Sequence, residues 1–276
     1  MHNGTNIVRI AILDLYDGQE NEGMQCIRDI IHSWGILSGV EVVCEEFDIR
    51  SKQQVPDISY DVFISTGGPG SPLESEGSEW EIKYFNWLQQ VEAWNNNPLH
   101  LIKKHCFFIC HSYQLLCRYY GIGQVCRRKS TSFGVFPVNK HPDSKNEVVF
   151  AQLKDPFYAI DIRNYQVIQP DYERLKAIGG KMLAIEKERP HVAYERAVMA
   201  VRFNDYFIGT QFHPEADAEG MYKFLLRKDK RKNIIQHHGE EKWKSMVEHL
   251  QDPDKILVTH NHILPDFLSY ALSRKY

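Results

Sequence analysis

The chain has 276 residues, room for one large domain or two small ones at roughly 100–200 residues each. Apolar residues make up 43% and charged residues 25%, a globular balance that excludes a disordered chain. The 33 basic and 36 acidic side chains leave a net charge of −3, which argues against a nucleic-acid coat. No apolar run reaches the about 18 residues of a membrane span, and the first, Ile7–Leu13, is broken by Arg9. The polar N-terminus, Met1 to Asn6, leads straight into that run without the apolar stretch of a signal peptide. Six cysteines are too sparse for a disulfide scaffold. Cys44, Cys106 and Cys110 stand among apolar neighbours, as buried free thiols of a cytoplasmic protein would.

In chain order, Ile7–Leu13 is a short apolar run ending at Asp14, the pattern of a strand covered on both faces. From Gly18 to Trp34, Met24, Ile27, Ile30 and Ile31 fall at helical spacing, and Gly35 is the expected stop. Val40–Cys44 and Tyr60–Ser65 read as strands, and Ser78–Trp94 as a helix with Trp80, Tyr84, Trp87, Leu88 and Val91 on its apolar stripe. Cys106–Cys110 is a further strand, followed by a helix carrying Leu115, Leu116 and Tyr119 up to Gly121. Such alternation predicts an α/β fold, a mostly parallel sheet flanked by helices.

Residues 124–215 change character. Ser132–Val138, Glu147–Leu153, Tyr158–Ile168, Met182–Ile185, His191–Phe203 and Tyr206–Phe212 read as β-rich runs separated by turns, so added antiparallel strands are expected. From Asp217 onward the pattern is helical. Trp243, Met246, Val247 and Leu250, then Ile263, Phe267, Leu268 and Tyr270, recur at helical spacing.

Three unusual peptides stand at the ends of expected strands, where ligands bind in such sheets. Thr66-Gly67-Gly68-Pro69-Gly70-Ser71-Pro72 exposes backbone N–H groups that suit a developing oxyanion, and lacks the Lys-Ser/Thr of a phosphate loop. Phe108-Ile109-Cys110-His111-Ser112-Tyr113-Gln114 puts a cysteine at a strand-to-helix turn, where the helix N-terminus favours thiolate. A free thiol with pKa about 8.5 is otherwise largely protonated at neutral pH. Gln211-Phe212-His213-Pro214-Glu215 offers an imidazole that can carry a proton and a carboxylate that can orient it. Each peptide alone also has a plain reading, as an ordinary loop, a buried cysteine and a surface turn.

Taken together, the three resemble the class I (triad) glutamine amidotransferases, whose pattern includes Gly-Gly-Pro-Gly, a Gly-x-Cys-x-Gly-x-Gln elbow and a late His-Pro-Glu. The resemblance covers Ile7 to Leu226 and looks most like the GMP-synthase-type glutaminase domain. It implies a flavodoxin-like sheet over residues 1–227, leaving 228–276 as a helical C-terminal extension. It makes Cys110 the nucleophile, His213 the general base and acid, and Glu215 the residue orienting His213. The N–H groups of Gly68 and His111 would form the oxyanion hole, and Gln114 with Gly70 would hold the substrate. The implied reaction cleaves a γ-glutamyl amide through a thioester, without metal or organic cofactor. A small-molecule substrate, a separate synthetase subunit and a second copy of the chain are the partners this admits; nucleic acid and membrane are not.

Two departures mark the elbow, since Phe108 and Ser112 stand where the pattern has glycines. Asp161–Gln166 also occupies the region where relatives often show Ser-His and an acid, so no substrate contact is carried onto it. A freestanding γ-glutamyl hydrolase remains open, favoured by the lack of a following synthetase domain, as does a non-catalytic binding protein on the same fold. Other features read blandly. Cys106, Phe108 and Cys110 should share one strand face, with His105 and His111 on the other, which prevents four metal ligands from converging. Thr259-His260-Asn261-His262 reads as a solvated loop, and Arg227–Lys232 as a solvated helix face. Asn3-Gly4-Thr5 fits a glycosylation sequon without a secretory context.

Overall fold

A computed structural model describes residues 7–19, 21–189 and 195–275. The sequon Asn3-Gly4-Thr5 and the start of the run His191–Phe203 lie outside the described residues. One sheet of nine strands organises the rest, in the order β2-β1-β3-β4-β9-β8-β7-β5-β6. Its first half is parallel: β2 (Glu41–Asp48), β1 (Ile7–Asp14), β3 (Val62–Ser65), β4 (His105–Ile109) and β9 (Phe207–Thr210). The second half is antiparallel: β8 (Val198–Arg202), β7 (Lys181–Glu186), β5 (Gln124–Lys140) and β6 (Phe157–Ile168). The division follows composition. β1, β3, β4 and β9 are apolar nearly throughout because helices cover both faces, as parallel strands require.

The first helix, α1 (Glu22–Ser38), is capped by Asn21, whose Oδ1 accepts the Gly23 N–H at 2.6 Å. It runs past the expected stop at Gly35 and ends at Gly39, which takes the left-handed φ of +65°. Gly35 serves packing instead. A Cβ there would lie 2.8 Å from Val42 Cγ2, so its absence lets the helix lie close on β2. α2 (Glu79–Asn96) and α3 (His111–Tyr120) cover the opposite face, through Tyr84, Trp87, Leu88, Leu115 and Leu116. Cys44, expected in the core, is exposed, because β2 is the sheet edge and turns part of its surface outward.

Glu147–Leu153 is not a strand. It is a 3₁₀ turn over Val148–Phe150, begun by the Glu147 carboxylate accepting from Val149 N. Val149, Phe150 and Leu153 are buried on one side of that turn, and the Glu147 side chain pairs with Arg202 at 2.5 Å. Apolar content alone could not separate a compact turn from a strand.

A short helix, α4 (Tyr172–Ala177), links β6 to β7. After β9 the chain is helical: α5 (Ala218–Leu226), α6 (Lys228–His238), α7 (Glu240–Gln251) and α8 (Pro253–Ser273). Leu225, Ile234, Trp243, Met246 and Leu250 close a core against Phe133, Val135 and Ile160 of β5 and β6. Ile263, Leu264, Phe267 and Leu268 of α8 instead join the main core beside α1, with Phe267 edge-on to Phe107 at 5.2 Å. Thr259-His260-Asn261-His262 lies within α8 and not in a loop, with Thr259 Oγ1 donating to Tyr158 O at 2.5 Å. No helix among the described residues is long and apolar enough to cross a membrane.

His105, at the start of β4, is 2% exposed, and neither ring nitrogen has a hydrogen-bond partner among the described residues. Burial, assisted by Arg202 and Arg274, pushes its imidazole down to about 4. In an unfolded chain it would titrate near 6.5. Below that pH the unfolded state therefore binds the extra proton first, and stability falls until about pH 4. His105→Leu should remove this loss, leaving the variant relatively more stable than the parent by up to about 3 kcal/mol at the acid end. Chemical denaturation at pH 7.5, 5.5 and 4.5 measures it. Parallel losses in parent and variant would refute the assignment.

Candidate active site

The carboxyl ends of β3, β4 and β9 are neighbours in the sheet, so the three unusual peptides meet although they lie far apart in sequence. At the end of β4 the chain turns sharply into α3, and Cys110 adopts φ +47° and ψ −94°. That conformation costs an L-residue about 1–3 kcal/mol and must be held by its surroundings. Cys110 N donates to Thr210 O at 2.8 Å, and Gln114 N donates to Cys110 O at 3.0 Å. The turn also carries Cys110 into the core cluster of Phe107 and Ile109. Phe108 stays with Cys106 in the cluster on the opposite face, so the shared face expected for Cys106, Phe108 and Cys110 ends at Phe108.

Both glycine replacements are accommodated. Ser112 is fully buried; its hydroxyl accepts from Ile109 N at 2.9 Å and donates to Ser65 O at 2.8 Å, joining the elbow to the end of β3. The Phe108 ring lies edge-on to Phe203 and Phe207, away from the thiol. On the neighbouring strand, a Cβ on Gly209 would come within 3.2 Å of Phe108 Cβ and 2.9 Å of Tyr113. The glycine missing from the elbow has in effect a counterpart one strand away.

His213 Nδ1 donates to Glu215 Oε1 at 2.7 Å, and the second Glu215 oxygen is buried without a partner among the described residues. His213 N donates to Ile160 O at 2.9 Å, which ties the turn to β6. Burial lowers the proton affinity of His213, but the Glu215 carboxylate and the Cys110 sulfur beside the ring outweigh it and hold the pKa well above 6.5. The glycine loop faces this pair. A Cβ on Gly67 would sit 3.0 Å from His213 Cε1 and 3.5 Å from Cys110 Cβ, and one on Gly68 would lie 2.3 Å from Leu15 O. Neither position has space for a side chain. Among the described residues, the N–H groups of Gly68 and His111 have no acceptor, which leaves both available to a ligand.

Gly70 has φ +89° beside Arg50. Gln114 is buried, and its amide donates to Gln211 Oε1 at 3.0 Å, while Gln211 Nε2 points at Cys110 Sγ at 3.6 Å. Gln211 opens the third peptide but is given no role there, although its spacing of two from His213 at a strand end is the available signal. Tyr16 is another. Its hydroxyl lies where a Cβ on Gly23 would be 2.7 Å from it and 3.3 Å from Glu215 Oε1. Position at the carboxyl end of β1, next to the switch in strand order, is the only clue to it.

The chain matches the family model "Glutamine amidotransferase class-I" over residues 21–233. It belongs to the class I glutamine amidotransferase family. It is 24% identical over 233 residues to aminodeoxychorismate/anthranilate synthase component 2 of Bacillus subtilis, covering 84% of this chain and 98% of that one. A glutamine amidotransferase of Thermotoga maritima superposes with a TM-score of 0.65 at 18% identity, over 96% of this chain and 98% of that one. The glutaminase domain of Trypanosoma brucei CTPS, with bound acivicin, gives 0.57 at 15% identity, over 98% and 95%. These structures share the fold, a large and mostly parallel sheet flanked by helices.

Phe108→Gly should lower stability by about 3–5 kcal/mol without raising glutaminase activity, because it empties a filled core position away from the thiol. Melting temperature and ammonia release on the one variant decide the matter, and a faster enzyme would show that the ring obstructs the site. Glu215→Gln removes the charge that raises the proton affinity of His213, so burial should then pull its pKa down. In the parent, the raised value means that the pair stabilises fully below about pH 6.5, and that this contribution fades as pH rises through the folded pKa. An NMR titration of the His213 ring proton in both proteins, showing no downward shift in the variant, would contradict this.

Proposed function

We propose that the protein hydrolyses the γ-amide of glutamine and passes the ammonia to a separate synthase-type subunit. The observation that supports this best is the meeting of Cys110, the His213–Glu215 pair and two unpaired N–H groups at adjacent strand ends. Cys110 Sγ attacks the amide carbon, and the developing oxyanion is received by the N–H groups of Gly68 and His111. His213 takes the thiol proton and delivers it to the leaving nitrogen, so that ammonia departs and a γ-glutamyl thioester remains. Water, deprotonated by His213, then cleaves the thioester to glutamate and restores the thiol. Glu215 keeps the ring oriented and stabilises its charged form, while Gln114 and Gly70 line the substrate side.

Residues 1–227 act as the catalytic unit in this reading, and 228–276 back it as an extension. The relative from Bacillus subtilis is itself a synthase component, which favours an ammonia-supplying subunit over a freestanding γ-glutamyl hydrolase. It also points to a partner of the anthranilate-synthase kind ahead of the GMP-synthase kind. Ammonia and glutamate release from glutamine, with and without labelling by a glutamine-analogue electrophile, tests the activity. Cys110→Ala and His213→Ala should each lower turnover by about 10⁴-fold or more with folding intact, and the double variant should lose little beyond either single one. Full activity in Cys110→Ala would end the proposal.

A further inference from the structure

The glycine loop is held by a side chain to which the reaction above gives no part. Arg50 follows β2, and its Nη1 donates to Pro69 O at 2.6 Å and to Leu15 O at 3.3 Å. Its Nη2 lies 3.5 Å from Asp17 Oδ2, and the guanidinium rests 5.4 Å from the Trp80 ring. The two carbonyls flank Gly68. Pro69 is the next residue, and Leu15 O packs so closely on Gly68 that a Cβ there would lie 2.3 Å away. The direction of the Gly68 N–H is therefore set by how the β1 loop and the glycine loop sit against each other. Arg50 bridges those loops across that point.

Resting on the functional reading above, we infer that Arg50 is a positioning residue for the oxyanion, clamping Gly68 so that its N–H faces the thioester-forming carbon. One further bond supports the same seam, in which Thr66 Oγ1 accepts from Leu15 N at 3.0 Å. It holds the loop's root, whereas Arg50 holds its far side, beyond Gly68. The chemistry suits arginine, because a rigid fork of donors can reach Leu15 O, Pro69 O and Asp17 together, and one ammonium cannot. The surroundings are consistent with a fixed cation. The His111 imidazole, pushed down by burial and further by Arg50 and Arg118, lies at about 3 and stays neutral. Arg118 braces the far end of the loop, donating to Pro72 O while paired with Glu81.

The test compares the full chain with Arg50→Met and Arg50→Lys. The open form of glutamate γ-semialdehyde adds the thiol and places an oxyanion in the hole, whereas glutamate binds without one. Arg50→Met should weaken the aldehyde by about 10- to 100-fold while glutamate stays within about two-fold, and kcat should fall with KM nearly unchanged. Added guanidinium ion should restore part of the loss. Arg50→Lys, which keeps the charge without the fork, should show the same split at a parent-like melting temperature. Equal losses for aldehyde and glutamate, or parent-like aldehyde affinity in both variants, would overturn the inference. If the parent itself neither hydrolyses glutamine nor binds the aldehyde, the functional reading fails. Hydrogen exchange over residues 66–70 then judges the clamp alone: faster exchange in Arg50→Met upholds it, and unchanged exchange refutes it.

Discussion

The backbone at Cys110 is held where an L-residue seldom goes, and much of the sheet serves to keep it there. A φ of +47° next to a helix start is unfavourable by about 1–3 kcal/mol, so it persists only if the neighbours over-determine it. Three bonds do this. Thr210 of β9 receives the Cys110 N–H, Ser112 receives the Ile109 N–H, and the Ser112 hydroxyl reaches Ser65 of β3. The elbow is thus tied to the strand on each side of β4. The same two strands deliver the glycine loop and the His213 turn, so strain and chemistry share one set of supports. Where the family pattern has a glycine two residues after the nucleophile, this chain has a hydroxyl that bonds.

What could be read from the sequence divides along a physical line. Apolar runs bounded by turn residues marked β1, β3 and β4, because strands covered on both faces leave an unmistakable composition. The three peptides at strand ends were legible because glycine pairs and His-Pro-Glu are locally unusual. Contacts decided by the third dimension were not. Gly35 looks like a stop until β2 is packed on it, and Glu147–Leu153 looks extended until its apolar residues are seen to gather on one side of a turn. Arg50 stands in a polar loop, and nothing in Ile49-Arg50-Ser51 announces two carbonyls waiting for a guanidinium.

The antiparallel half of the sheet carries a different kind of order. Arg163 and Asp161 of β6 are almost fully buried, bonded at 2.8 Å, with Glu186 at 3.3 Å from Arg163 and 3.1 Å from Arg128. Burying such groups is costly, and apolar substitutes would often be at least as stable. What the network supplies is register, since each charge has a partner only when β5, β6 and the end of β7 are correctly aligned. That alignment matters for the site, because Ile160 of β6 receives the His213 N–H and Ile162 O lies 3.8 Å from Cys110 Sγ.

The helical end of the chain bears on the same turn from the other side. His260 of α8 places Nδ1 3.1 Å from Glu215 O, and a carbonyl can only accept, so this nitrogen carries the proton. The neighbouring Thr259 bonds Tyr158 O on β6, two residues before the Ile160 that holds His213. Phe267 meanwhile packs on Phe107 of β4, three residues before Cys110. One helix therefore touches β4, β6 and the Glu215 backbone, which support Cys110, His213 and Glu215 in turn. Repulsion or slippage in α8 would reach the site through the turn that presents Glu215, whose buried second oxygen has no partner among the described residues. The carboxylate meets the His213 ring through one oxygen, and its backbone is braced by α8.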